Sequence, residues 1–484
     1  MPKRSNNPLA AARKSDSKAD LLWHRKSGAA FQLFIEYYAC QPLGVCSDGT
    51  VKEFPVAKHV TKMNCGQSRA AKRRKKKKQP NNDREGIDLV VDSVQINESS
   101  ESPENERLHQ AFAAYESADT IRDFIGSLSR ALSLTFRIRQ NLPSQEKETL
   151  QRLIVEQFSD LVAPCSFDPL IYQAKSSNVN KGSLLQSSPA LKEFLVTNSQ
   201  NGKIARQELA SMLPVLVLHR GGWLTSETKR VLDLCASPGS KTMQVLEIMT
   251  RGSVKANDIN KQRLESLQES MTRSGMSFSS KIKFSNLDAS HFPIPLQEDK
   301  LYDCIICDVP CSGDGTIRKD PRVLTNWTPA TSNALHRLQV DILARALKCL
   351  KVGGVMTYST CSMNPIENEA VVAAALSQRK KGGGQPAFEL VQWPVMEGFI
   401  GRPGVTKWKV ADYVGDTDQE DDEKVQLRWH SSYEDAVEAK MEKACTSMWP
   451  PLSTNDLHLD RCVRLWPQDH DSGGFFVAVI KRIG

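Results

Sequence analysis

From residue 204 onward, apolar strand-like runs alternate with helical stretches at short connections, and this alternation constrains the fold more than any other feature of the chain. "ARQELASMLPVLVL" reads as a helix, "RVLDLCA" as a strand, "SKTMQVLEIMT" as a helix, "SVKAND" as a strand and "KQRLESLQESMTRSG" as a helix. The strands "KIKFSNLDA" and "YDCIICDVP" follow, then the helix "SNALHRLQVDILARALKCLK", the strand "GGVMTYSTC" and the helix "PIENEAVVAAALSQ". Parallel strands need crossover connections, which lay helices on both faces of the sheet. The expected class is α/β, a doubly wound, mostly parallel sheet over residues 204–484. "GGFFVAVIKR" adds a last apolar strand, and "FELVQW" is a candidate partner for it.

Upstream the pattern breaks. Residues 1–26 and about 42–118 are poor in apolar side chains and are expected to be disordered. Between them "AAFQLFIEYYA" has helical spacing, and after them come the helix-like "TIRDFIGSLSRAL" and the strand-like "LTFRIR". Residues 27–203 are therefore expected to form a small α/β N-terminal module split by the insertion at 42–118. The formal charge is +8, and seven consecutive basic residues, "KRRKKKK", stand at 72–78. Such a run fits a polyanionic partner such as RNA, or an import receptor that would make the protein nuclear or nucleolar, with the cytoplasm as the alternative. The start has no apolar core of a secretory signal, and the longest apolar run, around "LPVLVL", is too short for a membrane span. Twelve cysteines over 484 residues suit reduced thiols. Cys304 and Cys307 form a CxxC, but on a strand they point to opposite faces, so core packing is expected for them and for Cys235 and Cys349, and no metal.

In doubly wound sheets ligands bind beyond the carboxyl ends of the strands. There "DLCASPGSKT" runs from strand through a Pro-Gly turn into a helix, so the backbone amides of Ala236 to Lys241 are placed to hold a polar ligand tail. The loop matches no dinucleotide or P-loop phosphate fingerprint. Asp258 ends the next strand, where an acid bonds ribose hydroxyls, and Asp288 follows the third, in reach of an adenine amino group. Each acid alone is equally a cap or turn residue. Together with Asp308 they suit an adenosine ligand without a phosphate clamp, S-adenosylmethionine better than a nicotinamide dinucleotide. Cys311 and Cys361 follow what are expected to be adjacent strands. A thiolate added to carbon 6 of cytosine makes carbon 5 nucleophilic toward a sulfonium methyl group, and Asp308 could hold the proton on ring nitrogen 3. One thiol would make the bond and the other help to break it. As isolated residues both could equally be small core cysteines.

"DLCASPGSKT", "DVPCSGDGT" followed by "RKDP", and "YSTCSMNPIENEAVV" resemble the signature blocks of the Sun-family RNA (cytosine-5) methyltransferases, most like the eukaryotic multisite tRNA branch. The resemblance extends over roughly 133–482, with a weaker likeness at "FQLFIEYYACQ". It implies a sheet of the S-adenosylmethionine-dependent methyltransferase type, with Cys361 as nucleophile, Cys311 in product release, Asp308 on the cytosine and Lys241 near both ligands. It also implies a cofactor site of Cys235, Ala236, Ser237, Pro238, Gly239, Ser240, Lys241, Asp258, Asp288 and Asp308. Arg318 and Lys319, just past the Gly-rich loop, and Arg137 and Arg139, on one face of the "LTFRIR" strand, are candidate RNA contacts. The expected partner is RNA, with tRNA before rRNA or mRNA. An RNA-binding scaffold that lacks turnover is the rival reading.

Overall fold

The computed structural model describes residues 34, 37–38, 41, 123–124, 127–128, 130–175, 181–274, 281–320, 322–325, 327–377, 387–414, 426–451 and 457–484. The expected disordered start and the basic run at 72–78 lie outside the described residues. A four-stranded antiparallel sheet in the order β2-β3-β1-β4 is built from β1 (Thr135–Ile138), β2 (Val162–Cys165), β3 (Asp168–Ala174) and β4 (Ile204–Ala205). Helices α1 (Ser144–Phe158), α2 (Lys181–Ser187) and α3 (Pro189–Gln200) accompany it. Phe136 and Ile138 of β1 pack with Ile154 and Phe158 of α1, Leu191 and Leu195 of α3, and Ile204. The expected boundary at 203/204 is thus two residues early, because β4 pairs with β1. The following helix starts at Leu209, where the Glu208 side chain accepts from Ser211 N.

The larger sheet carries β5 (Arg230–Asp233), β6 (Ser253–Asn257), β7 (Ile282–Ser285), β8 (Tyr302–Asp308) and β9 (Leu350–Thr360), side by side and parallel in the order β9-β8-β5-β6-β7. Helices α4 (Leu209–Arg220), α5 (Ser240–Ile248), α6 (Lys261–Arg273), α7 (Pro329–Cys349) and α8 (Glu369–Ser377) alternate with these strands. Beyond β9 the sheet turns antiparallel through β15 (Phe475–Arg482), which also pairs with β10 (Phe388–Leu390) and with β14 (Val463–Leu465), itself beside β11 (Arg402–Pro403). "FELVQW" does partner the last strand. β12 (Val410–Val414) and β13 (Gln426–His430) form a separate ribbon. No described helix is long and apolar enough to cross a membrane.

Both faces of β8 are buried, and its side chains divide by parity: Cys304 and Ile306 join the cluster with α4 and α5, whereas Ile305 and Cys307 join the cluster with α7 and α8. The CxxC cysteines therefore belong to two different cores. After β5 the chain first builds outward through β6 and β7, then returns to the other side of β5 with β8. The strand order reverses between β5 and β8, and the crevice at their carboxyl ends is where such sheets take ligands.

The residues at 34–41 depart from the expected organisation. Phe34, Tyr37 and Tyr38 are buried against Trp327, with Tyr37 also stacked on Trp429. Phe34, Tyr37 and Tyr38 thus meet the loop after β8 through Asp314 and Trp327, and Tyr37 meets β13 through Trp429.

Candidate active site

Three loops meet at the reversal point. The first, after β5, is built so that the backbone approaches closely. Asn257 O accepts from Ala236 N at 2.7 Å, and Asp258 Oδ2 accepts from Ser237 N at 3.1 Å. Gly239 has φ +103°, and a Cβ there would stand 2.7 Å from Leu267 Cγ, so only glycine suits the position. It precedes α5 without a side-chain cap, which leaves the amides at the start of that helix to a ligand. Ser237 Oγ and Asp233 Oδ1 are buried with no hydrogen-bond partner. Unmet polar atoms and an uncapped helix start, with no phosphate-type glycine loop, fit the polar, non-phosphorylated tail of S-adenosylmethionine. Burial pushes the Asp233 carboxyl up to about 7, against the lowering effect of the Thr242 hydroxyl bond.

Asp258 and Asp288 occupy the ends of β6 and β7 as expected, each already engaged locally. Asp258 is buried and bonds Ser237 N and Asn260 N. Asp288 is half-buried and caps a short turn through Ser290 N and Oγ, and these bonds hold its carboxyl below the usual range against the opposing effect of burial. The bland reading as cap residues and the ligand reading thus describe the same atoms, since a carboxylate keeps lone pairs after two bonds.

Asp308 ends β8. Its Oδ2 lies 2.7 Å from Lys241 Nζ and its Oδ1 accepts from Ser359 Oγ at 2.7 Å. Lys241 also donates to Ser211 Oγ at 3.1 Å and rests over the Phe475 ring. Burial works against the ammonium, but Asp308 outweighs it and the Lys241 pKa rises, so the ammonium keeps its charge at neutral pH. Ser211 and Ser359 were not legible as site residues: a serine in a helix and a serine in a strand carry no motif.

Cys311 and Cys361 face each other across the ends of β8 and β9, with their sulfurs 3.2 Å apart. The Cys311 thiol is pushed well above its ordinary range, first by its hydrogen bond to Cys361, then by burial and by the charge of neighbouring groups. The loops that bear the two sulfurs are stitched together. Gly315 N donates to Cys361 O at 2.9 Å and Gly474 N to Gly315 O at 2.8 Å; a Cβ on Gly315 would lie 2.2 Å from Gly474 O. Asp314 accepts from Met363 N at 2.7 Å and from the Tyr38 hydroxyl.

Three of the four candidate RNA contacts are structural. Arg318 is buried and donates to the carbonyls of Arg130, Ala131 and Ser472 and to Asp471, so it ties the loop to the small sheet's leading segment. Arg137 and Arg139 do share one face of β1, but that face packs on α5, where both guanidinium groups pair with the fully buried Glu247. A charged pair of this kind is hidden from any polyanion. Lys319 is exposed, as an RNA contact requires.

A doubly wound sheet with an uncapped, glycine-turned ligand loop and two facing thiols at its reversal point defines a nucleoside-handling transferase domain. The chain belongs to the RsmB/F family of 16S rRNA methyltransferases, whose sequence profile matches residues 223–481. A multisite-specific tRNA:(cytosine-C(5))-methyltransferase of Schizosaccharomyces pombe is 37% identical over 338 residues, covering 62% of this chain and 46% of the relative. A tRNA (cytosine(34)-C(5))-methyltransferase of Drosophila melanogaster is 36% identical, covering 60% and 38%. Ribosomal RNA small subunit methyltransferase F of Escherichia coli is 31% identical, covering 54% and 51%. The chain thus spans about half or less of the length of these relatives. Among solved structures, NSun6 from Pyrococcus horikoshii with SFG superimposes with a TM-score of 0.50 at 16% identity, covering 78% of this chain and 98% of that one. A methyltransferase homolog protein from the same organism gives 0.50 at 22%, covering 76% and 91%. Both show the shared fold.

Proposed function

We propose that the protein methylates carbon 5 of cytosine in RNA, with tRNA as the substrate class, through a covalent bond between Cys361 and the base. The observation that carries this reading is the 3.2 Å approach of two thiols beside an Asp308–Lys241 ion pair at the reversal point. S-adenosylmethionine, held by the 235–241 loop with Asp258 and Asp288, supplies the methyl group as a sulfonium electrophile. The chain's own residues do the rest. Cys361 gives its proton to solvent and its sulfur adds to carbon 6; nitrogen 3 takes a proton from solvent, which it returns on release, and Asp308 accepts the hydrogen bond of that N–H so that charge does not build on the ring. Lys241 holds the Asp308 carboxyl in place through their 2.7 Å contact. Once Cys361 is bonded to carbon, the largest of the effects that raise the Cys311 thiol, its hydrogen bond to Cys361, is lost, while burial remains. Cys311 then loses its proton to solvent, removes the one on carbon 5, and the bond to Cys361 breaks.

The relatives named for tRNA match this chain over longer stretches, 338 and 312 residues, than those named for rRNA, 267 and 172, which favours tRNA over rRNA. Lys319, the N-terminal module and the basic run at 72–78 supply the charge for RNA, and the run also serves nuclear import. To test the reading, Cys311→Ala, Cys361→Ala and the double variant are expressed in cells and the lysates denatured. Cys311→Ala retains RNA, whereas Cys361→Ala and the double variant do not, and the retained sequences name the RNA. Retention by Cys361→Ala alone exchanges the two roles, and retention by none, with no methyl transfer by the wild type, leaves a scaffold.

A further inference from the structure

Glu367 sits in the turn after the Cys361 loop, fully buried, and its two oxygens accept five hydrogen bonds. Oε1 takes the hydroxyls of Ser312, Ser332 and Ser362 at 2.5, 2.8 and 2.7 Å. Oε2 takes Ser312 N at 2.8 Å and Gln339 Nε2 at 2.9 Å. A carboxylate buried with this many donors is held by them, and they by it. Its partners are unevenly shared between the two thiols. Ser312, next to Cys311, gives Glu367 both its amide and its hydroxyl. Cys361 instead follows the eleven-residue strand β9 and has its carbonyl fixed by Gly315 N.

We infer that Glu367 is the positioning residue for product release: it clamps the Cys311 loop against the Cys361 loop, and without it attack continues while release fails. The inference rests on the proposed covalent mechanism. Attack uses Cys361 at the end of β9, whose pairing with β8 and β15 does not involve Glu367, so that it loses only the Ser362 hydroxyl bond. Release needs Cys311 in line with the proton on carbon 5, and a misplacement of about 1 Å costs on the order of 10²-fold in rate.

The test uses the full-length protein, S-adenosylmethionine and total tRNA, unmodified or transcribed with 5-fluorocytidine. Fluorine at carbon 5 leaves no proton to remove, so that probe reads bond formation, and adducts on unmodified tRNA read failed release. Glu367→Ala is expected to form the 5-fluorocytidine adduct within about threefold of the wild-type rate and to slow release by about 10²-fold, so that adduct accumulates on unmodified tRNA. Glu367→Gln keeps size and one acceptor oxygen, which can take Ser312 N and Gln339 Nε2 while the hydroxyls turn to accept from its amide, so release returns close to wild type. Loss of both adducts in the same proportion marks a merely structural residue and overturns the inference, as does wild-type release by Glu367→Ala. If Glu367→Ala does not fold, Ser312→Ala, which removes only the loop's hydroxyl, decides by the same readout: accumulation supports the clamp, and none overturns it. Cys311→Ala is run beside them. If it traps nothing on unmodified tRNA, the covalent reading has failed, and not the clamp alone.

Discussion

Asp233, one residue before the ligand loop begins, is a carboxyl held at about 7 by burial. An unfolded aspartate titrates near 4, so between about 4 and 7 the folded chain holds a proton that the unfolded chain has lost. Stability from this group is therefore full in acid and falls as pH rises through that window. Asp233→Asn keeps an acceptor for Thr242 and removes the titration. Its melting temperature is expected to match the wild type near pH 4 and to exceed it increasingly toward pH 8, by scanning calorimetry. Beside it, Asp308→Asn removes the charge that Lys241 pairs with, and kcat for methyl transfer is expected to fall by about 10²- to 10⁴-fold. Trapping by a Cys311→Ala background should fall in parallel, because the step lost precedes the adduct. Cys311, Cys361, Asp308 and Lys241 were singled out in the sequence because each follows a strand or opens a helix, and their expected roles came from the resemblance of the blocks that carry them. Ser211, Ser359, Asp314 and Glu367 were not, since their roles depend on which loops meet, and pairing across about 30 to 55 residues leaves no local pattern.

Alternation of strands and helices was enough to place the five parallel strands and the reversal between β5 and β8. It could not place the arginines of β1. A period of two says that Arg137 and Arg139 share a face, and solvent is the usual destination of two charges. Here the opposite face holds Phe136 and Ile138 in the small sheet's core, and the arginine face closes on α5 of the larger sheet. The signal available was Glu247, an acid in the otherwise apolar end of a helix, but nothing local linked it to β1. Removing a partner from a buried pair leaves uncompensated charge at a cost of about 3–5 kcal/mol. Glu247→Ala is therefore expected to lower the urea midpoint strongly and Glu247→Gln less. Arg137→Ala lowers it too, yet leaves the salt dependence of tRNA binding unchanged in a filter-binding titration, whereas Lys319→Ala reduces that slope.

At the scale of the whole molecule, the buried arginines leave the proposed RNA affinity to other basic residues, and the seven-residue run at 72–78 is the densest basic stretch of the sequence. Two consequences of such a run can be separated. As an RNA tether it releases counterions on binding, and for single-stranded contacts each neutralised phosphate adds about 0.7 to the slope of log affinity against log salt. Replacing residues 72–78 with glutamine is then expected to flatten that slope by up to about 5, with the larger loss of affinity at low salt and little change in kcat at saturating tRNA. As an import signal the same run acts on location alone, so a fluorescent fusion of the glutamine variant would spread into the cytoplasm, and an unrelated import signal appended to it would restore the nuclear pool without restoring the salt slope. A variant that keeps its slope and loses its location assigns the run to transport, and the RNA affinity then rests on Lys319 and the folded surface around the reversal point.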